Sequence, residues 1–291
     1  MGDKKRAKYW VPGTKRKESK ELECQLCPFG CIIQNNTTGK CGARTNIDGE
    51  LLAVSYGKVT SVALDPIEKK PLYMFHPGCK IISIGSYGCN LTCPYCQNHT
   101  ISLEYEKGKA DYLTPETVLE LSKLSMQDGN IGVAYTYNEP LIGYEFVLEC
   151  SKLIRSAGLK NVLVTNGYIN EAPLTELITY IDAMNIDIKG NTDRTYNMVG
   201  GTSKHAKRTV ELAYSKCHVE VTTLVVPGVN EDEIEDIARW LASLDPDIPY
   251  HLSRFFPGYK YKDHSPTPFD MMHKASDIAK TYLKNVYLGN M

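Results

Sequence analysis

The sequence predicts an α/β protein: a parallel sheet covered by helices, preceded by a loop-rich lobe that carries cysteines. Three observations lead there. From residue 81 onward, short apolar runs alternate with segments of helical spacing. The runs are continuously apolar rather than alternating, as in strands buried on both faces. Each is followed by a polar or glycine-rich cluster, the place where ligands gather in such sheets. A sheet of this kind either stays open or closes into a barrel.

The elements follow in order. Residues 1–21 hold Lys4, Lys5, Arg6, Lys8, Lys15, Arg16 and Lys17 around a Pro-Gly break, and read as a solvated, flexible arm. Residues 22–80 carry short apolar pieces broken by Gly and Asn, a lobe with little helix. IISIGS (81–86) opens the third region, 81–291, as a buried strand. TPETVLELSKLSMQD follows as a helix, with Thr114 as cap and Pro115 in the first turn. Strands are then expected at IGVAYT, NVLVTN, AMNIDIK, HVEVTTLVV, PYHLSRF and NVYLG. Helices separate them at EPLIGYEFVLECSKLIRSAG, PLTELITYI, KHAKRTVELAYSK, NEDEIEDIARWLASL and PTPFDMMHKASDIAKTYLK.

Composition narrows the function classes. A net charge of -1 over 291 residues gives no electrostatic case for a nucleic-acid or membrane surface. No run approaches the roughly 18 apolar residues of a spanning helix, and the N-terminus lacks the apolar core of a secretory signal. Arg6 stands where a myristoylation signal wants Ser or Thr. The expected location is the cytoplasm, the expected state a monomer. Ten cysteines in a reducing compartment point to metal or redox chemistry. Cys150 and Cys217 read as small buried hydrophobes; Cys79 has no assigned role.

Two cysteine groups stand out. Cys89, Cys93 and Cys96, in GCNLTCPYC after the first strand, offer three thiolates on one loop. Fe–S clusters normally take four Cys, so three fit a [4Fe–4S] cluster with one iron open to a small molecule. Zinc is the alternative, with His99 as fourth ligand. The spacing and the strand-end location favour the cluster. The second group, Cys24, Cys27, Cys31 and Cys41 in CQLCPFGCIIQNNTTGKC, suits either structural zinc or an auxiliary [4Fe–4S] cluster. Arg44, three residues on, is placed to neutralise such a thiolate-rich site.

The triplet with Tyr95 before its last cysteine, the run YGKVTSVALDPIEKKPLYMFHPG, and TYNEP together resemble the radical S-adenosylmethionine (SAM) superfamily. Within it the strings are similar to the AmmeMemoRadiSam-system enzymes, near the pyruvate formate-lyase activating enzymes. The resemblance covers nearly the whole chain from residue 22 and implies a partial (β/α)6 barrel. It implies SAM and a [4Fe–4S] cluster as cofactors, and an external one-electron donor of flavodoxin or ferredoxin type.

The resemblance also implies roles. Tyr95 packs against the adenine edge. Asn138 and Glu139 meet the methionyl amine, where a carboxylate suits an ammonium group. The superfamily's G-G-E stands here as Tyr137-Asn138-Glu139, which keeps the carboxylate and replaces both glycines. Asn166 and Gly167 face the ribose, and Asp187 and Lys189 meet the methionyl moiety. Val229 lends backbone contacts to adenine, and His251 lies near the ribose. Plainer readings stand beside these: Asn138 and Glu139 as a helix cap, Asp187–Lys189 as an exposed ion pair, His251 as a structural histidine. Tyr135 and Tyr137 are expected to line the interior.

The expected function is a radical SAM enzyme acting on a protein, peptide or small metabolite. The alternatives are a glycyl-radical activating enzyme and a non-catalytic or RNA-directed zinc protein. Against the first, the extra cysteines precede the SAM-binding loop instead of following it. The chain stops at YLGNM where family members often continue, which is expected to open the substrate side or change the substrate.

Overall fold

The computed structural model describes residues 5–13, 20–104 and 109–291. Over residues 5–13 the expectation of a solvated arm is overturned. Ala7 is buried and donates its N–H to the Leu51 carbonyl at 2.8 Å, while Ala53 donates to the Lys5 carbonyl at 2.9 Å. The cations are paired: Lys5 with Glu149, Arg6 with Glu50, Lys8 with Glu176. Counting charge missed the apolar Ala7, Trp10 and Val11 between the cations, which give this segment a face to bury. Lys4, Lys15, Arg16 and Lys17 lie outside the described residues.

Strands β1 (Trp10–Pro12), β2 (Leu22–Cys24) and β3 (Ile32–Ile33) form one small antiparallel sheet. β4 (Arg44–Ile47) and β5 (Glu50–Ala53) form a hairpin. Its turn residues Asp48 and Gly49 take φ of 55° and 86°, the left-handed pair whose twist matches the flanking strands. β6 (Lys58–Val59) follows, then β7 (Ser61–Pro66). β7 leaves the lobe and pairs antiparallel with β8 (Lys80–Gly85). The division expected at residue 80 therefore cuts through the main sheet.

Past β8 come α1 (His99–Ser102), β9 (Asp111–Tyr112) against β6, α2 (Pro115–Leu124), β10 (Asn130–Tyr135) and α3 (Tyr144–Ser156). β11 (Lys160–Thr165), α4 (Glu171–Ile178) and β12 (Ala183–Asp187) continue the alternation. Then α5 (Asp193–Met198), α6 (Ser203–Tyr214), β13 (His218–Val225), α7 (Ile234–Leu244), β14 (Tyr250–Arg254), α8 (Phe269–Lys280) and β15 (Val286–Gly289) complete the chain. α2 starts where its cap requires: Thr114 Oγ1 accepts from the Thr117 N–H at 3.2 Å, with Pro115 next. α7 buries Ile234, Ile237, Ala238 and Leu241, a single stripe at helical spacing.

The main sheet has eight strands in the order β15-β14-β13-β12-β11-β10-β8-β7, all parallel except β7. It is an open, curved α/β sheet with helices outside and a polar interior. Alternate residues of each strand face inward, and the register aligns Ala134, Val162 and Ala183 across three strands.

The N-terminal end of this interior is closed by the connection from β7 to β8. Ile67 and Leu72 are fully buried there against Ile81, Ala134, Val162 and Ala183. Each such side chain contributes roughly 1.5–3 kcal/mol. Asn185 Nδ2 donates to the Pro71 carbonyl at 2.8 Å. The fully buried Glu220 carboxylate accepts the N–H groups of Tyr73 and Met74 at 2.9 and 2.8 Å. The C-terminal end stays open.

Candidate active site

At the open end lies a cavity of about 330 Å³ lined by residues from the β8, β10, β11 and β12 loops and from Lys69–Pro71. Cys89, Cys93, Cys96, Tyr95, Asn138, Glu139, Asn166, Asp187 and Lys189 all border it. Of the residues singled out from sequence, these nine meet at one place.

The cysteine loop is strapped down from both sides. Asn138 Oδ1 accepts the Ser86 N–H at 2.9 Å, and its Nδ2 donates to the Gly88 carbonyl at 3.0 Å. Asn90 Nδ2 donates to the Tyr168 carbonyl at 2.7 Å and its Oδ1 accepts from Asn166 Nδ2 at 2.9 Å. Asn166 Nδ2 also reaches Cys89 Sγ at 3.6 Å, and the Leu91 N–H donates to the same sulfur at 3.4 Å. Donors of this kind favour a thiolate and tune a metal bound to it.

A carboxylate and an ion pair supply the charged groups of the cavity wall. Glu139 is buried, with Oε1 accepting from the Thr165 hydroxyl at 2.6 Å and the Leu141 N–H at 2.9 Å. Its Oε2 accepts the Asn166 N–H at 2.8 Å. Burial pushes the carboxyl up and these three donors only partly offset it, leaving it at about 7. The helix-cap reading is thus also true, since Leu141 opens the next turn. Asp187 and Lys189 form a direct hydrogen-bonded ion pair, both side chains largely shielded. Burial works against the Lys189 ammonium, but the Asp187 carboxylate holds it well above its ordinary pKa. Asp187 Oδ1 and the Tyr95 hydroxyl are buried without a hydrogen-bond partner. Two orphaned polar atoms in a cavity wall mark where a ligand's polar groups belong.

Four residues singled out from sequence are not among those lining this cavity. His251 sits near the start of β14, its Nε2 bonded to Glu220 Oε2 at 2.6 Å and its ring beside Tyr73 and Tyr287. It is the structural histidine of the closed end, and Ser253, two residues on, reaches the cavity instead. Val229 uses its carbonyl to accept from Arg194 and Thr195, away from the cavity lining. Gly167 donates its N–H to Thr165 Oγ1 at 3.1 Å, and its carbonyl accepts from Thr209 Oγ1 of α6 at 2.7 Å. Tyr135 points out of the barrel, its hydroxyl 3.2 Å from Asn161 Oδ1, because it is one residue out of phase with the inward-facing Ala134 and Thr136. Tyr137 does line the cavity. Cys150 is fully buried in the core, Cys217 packs against it, and Cys79 lies on the closing segment of the far end.

One group was missed. Asp65 of β7 accepts from Lys70 Nζ and from the Tyr137 hydroxyl, each at 2.7 Å, and both partners line the cavity. Burial pushes the Asp65 carboxyl up, yet these two donors hold it well below the carboxylate range. Tyr137 takes φ of 71° to reach it. The string DPIEKKP carried a signal of family likeness, but only pairing of β7 with β8 brings it to the site.

A single tetrahedral ion is not what this arrangement offers. Zn–S bonds of about 2.3 Å require closely gathered sulfurs. Among the described residues no three His, Cys, Asp or Glu side chains converge that closely. His99, the fourth ligand of a zinc site, turns to the Cys96 carbonyl at 3.2 Å and stacks on Tyr259. Three thiols spread around a cavity suit a multi-iron core, with each sulfur on its own iron.

Residues 83–241 match the family model of the radical SAM superfamily. This chain belongs to that superfamily. It is 41% identical to the uncharacterized protein MJ0808 of Methanocaldococcus jannaschii over 94% of this chain and 83% of that protein. It is 28% identical to the pyruvate formate-lyase 1-activating enzyme of Escherichia coli strain K12, over 60% of this chain and 75% of that enzyme. The solved structure of spore photoproduct lyase has the same fold, with a TM-score of 0.51 at 12% identity over 78% of this chain and 79% of that one. As a member of the superfamily the protein is an iron–sulfur enzyme whose cofactors are a [4Fe–4S] cluster and SAM. No helix among the described residues is long and apolar enough to cross a membrane.

Proposed function

We propose that the open end of the barrel binds SAM beside a [4Fe–4S] cluster held by Cys89, Cys93 and Cys96, and generates a radical that abstracts hydrogen from a protein, peptide or small metabolite. The observation that carries this reading is the meeting of three spread thiols with Glu139, Asp187 and Lys189 in one cavity. When bound and reduced, the cluster supplies the electron that splits SAM into methionine and a 5′-deoxyadenosyl radical. The chain's residues do the rest. Glu139 takes the methionyl ammonium, a charge-assisted contact that strengthens as water leaves. Lys189 receives the carboxylate, and Asp187 keeps one oxygen free for a donor from SAM. Tyr95 walls the adenine side. Asn138 and Asn90 keep the loop rigid. An external donor of flavodoxin or ferredoxin type provides the electron.

Glycyl-radical activation is a second reading, favoured by the similarity to the Escherichia coli activating enzyme. Anaerobically reconstituted protein with dithionite should convert SAM to 5′-deoxyadenosine. A full cluster with no conversion overturns the proposal. A glycyl EPR signal on mixing with a glycyl-radical enzyme would select the second reading.

A further inference from the structure

The N-terminal cysteines lie next to the SAM site, although at least 47 residues separate them in sequence from Cys89. Cys24, Cys27, Cys31 and Cys41 surround one small enclosed cavity, whose walls also include Arg44 and Asn90. Among the described residues no three of these side chains are grouped as the ligands of one ion. Zinc with four thiolates would bring them to about 3.8 Å from one another, given Zn–S bonds of about 2.3 Å. A four-iron core places each thiolate on a different iron and keeps them apart.

The surrounding charge fits a core that is anionic with its four thiolates. Arg44 is 1% exposed and faces this cavity. Its Nη1 donates to the Lys8 carbonyl at 2.7 Å and its Nη2 to Glu145 Oε1 at 2.6 Å, while Nε has no partner. Lys40, also on the wall, lies over the Phe29 ring at 3.7 Å. Glu145 balances the guanidinium charge, so what this wall offers four thiolates is the spare Arg44 Nε donor and the Lys40 cation.

Position assigns the task. Asn90 borders this cavity and Cys89 borders the SAM cavity, so adjacent residues face the two sites. Gly88 packs so closely on the lobe that a Cβ there would stand 2.3 Å from the Cys41 carbonyl oxygen, and its φ of +85° is the left-handed value glycine allows. On the other side, Cys27 borders a surface groove with Tyr9, Gln25 and Asn170.

We propose that Cys24, Cys27, Cys31 and Cys41 hold a second [4Fe–4S] cluster that relays electrons from the surface to the SAM-site cluster. This rests on the preceding reading for its acceptor, not for its metal. A reduced flavodoxin or ferredoxin gives up one electron at the groove beside Cys27. The second cluster takes it, then returns to its oxidised state as the SAM-site cluster is reduced by one electron. No bond forms or breaks and no proton moves.

The site is tested without SAM chemistry in the full chain carrying Cys89→Ala, Cys93→Ala and Cys96→Ala, reconstituted anaerobically with iron and sulfide. We expect about four irons and four sulfides per chain and a dithionite-reduced EPR signal that SAM does not alter. One zinc, or no metal, overturns the site. The relay is tested on the unaltered protein by rapid-freeze EPR after mixing with reduced flavodoxin. The SAM-insensitive signal should appear before the SAM-sensitive one; the reverse order, or simultaneous rise, overturns the relay. A cluster retained in the triple variant while the unaltered protein fails to cleave SAM would sink the proposed function and leave this site standing.

Discussion

Each end of the barrel buries a glutamate, and the two behave oppositely. Glu220 at the closed end is held down to about 2, and Glu139 at the open end is pushed up to about 7. Burial raises both. Glu220 overcomes it with two backbone N–H groups and with His218 and His251, which bond its two oxygens at 2.9 and 2.6 Å. Glu139 has three donors, none of them charged. The difference teaches that burial decides a carboxylate's charge only through its partners: four donors hold Glu220 ionised, while three donors and the more distant Lys189 only partly offset the burial of Glu139.

The largest expected effect falls on the closed end. Glu220→Ala strands His218, His251 and two backbone donors, and should cost roughly 3–5 kcal/mol in urea unfolding. Glu139→Gln, whose amide NH2 must face one of three buried donors, should cost roughly 1–3 kcal/mol by the same measurement. Equal losses would erase the contrast.

Acid should separate the two next. The folded pKa of Glu220, about 2, lies below its ordinary 4.5. Its stabilisation is complete above about pH 4.5 and is lost as pH falls towards 2, roughly 3 kcal/mol in all. Glu139 has the opposite sign: its folded pKa, about 7, lies above 4.5, so its contribution is full below 4.5 and fades as pH rises through 7. Unfolding curves across pH 2–8 for the protein and for each Gln variant measure both slopes.

SAM binding sharpens the comparison at the open end. An ammonium holds Glu139 ionised, so binding should release a proton below about pH 7 and tighten as pH rises. Calorimetry in buffers of different ionisation heat reads the proton. Glu139→Gln should weaken SAM about tenfold to a hundredfold and flatten the pH dependence, while Glu220→Gln should leave that dependence in place.

The smallest effect is Tyr137→Phe, which removes one of the three side-chain donors on Asp65. It should cost about 0.5–1.5 kcal/mol in thermal unfolding, with Lys70 still paired.

Much of the site was legible because it sits on short loops just after strands. Cys89, Cys93 and Cys96 share one loop, and Glu139, Asn166, Asp187 and Lys189 end three successive strands. Position along a strand was harder to read. His251 and Ser253 share an inward face, but two residues at about 3.3 Å each place His251 roughly 6.6 Å nearer the closed end. A histidine near a strand end looks the same in sequence at either depth.

The alternation of apolar runs and helix stripes, with caps such as Thr114, determined by itself the parallel sheet and the thiol-bearing loop at its open edge. Those signals are local, spanning a few residues of backbone geometry. Only the tertiary structure decided that β7 joins the sheet, that Asp65 meets Tyr137, that residues 67–79 close one end, and that Cys41 lies against Gly88. Each joins residues far apart in the chain, and sequence spacing carries no record of which distant surfaces exclude water together.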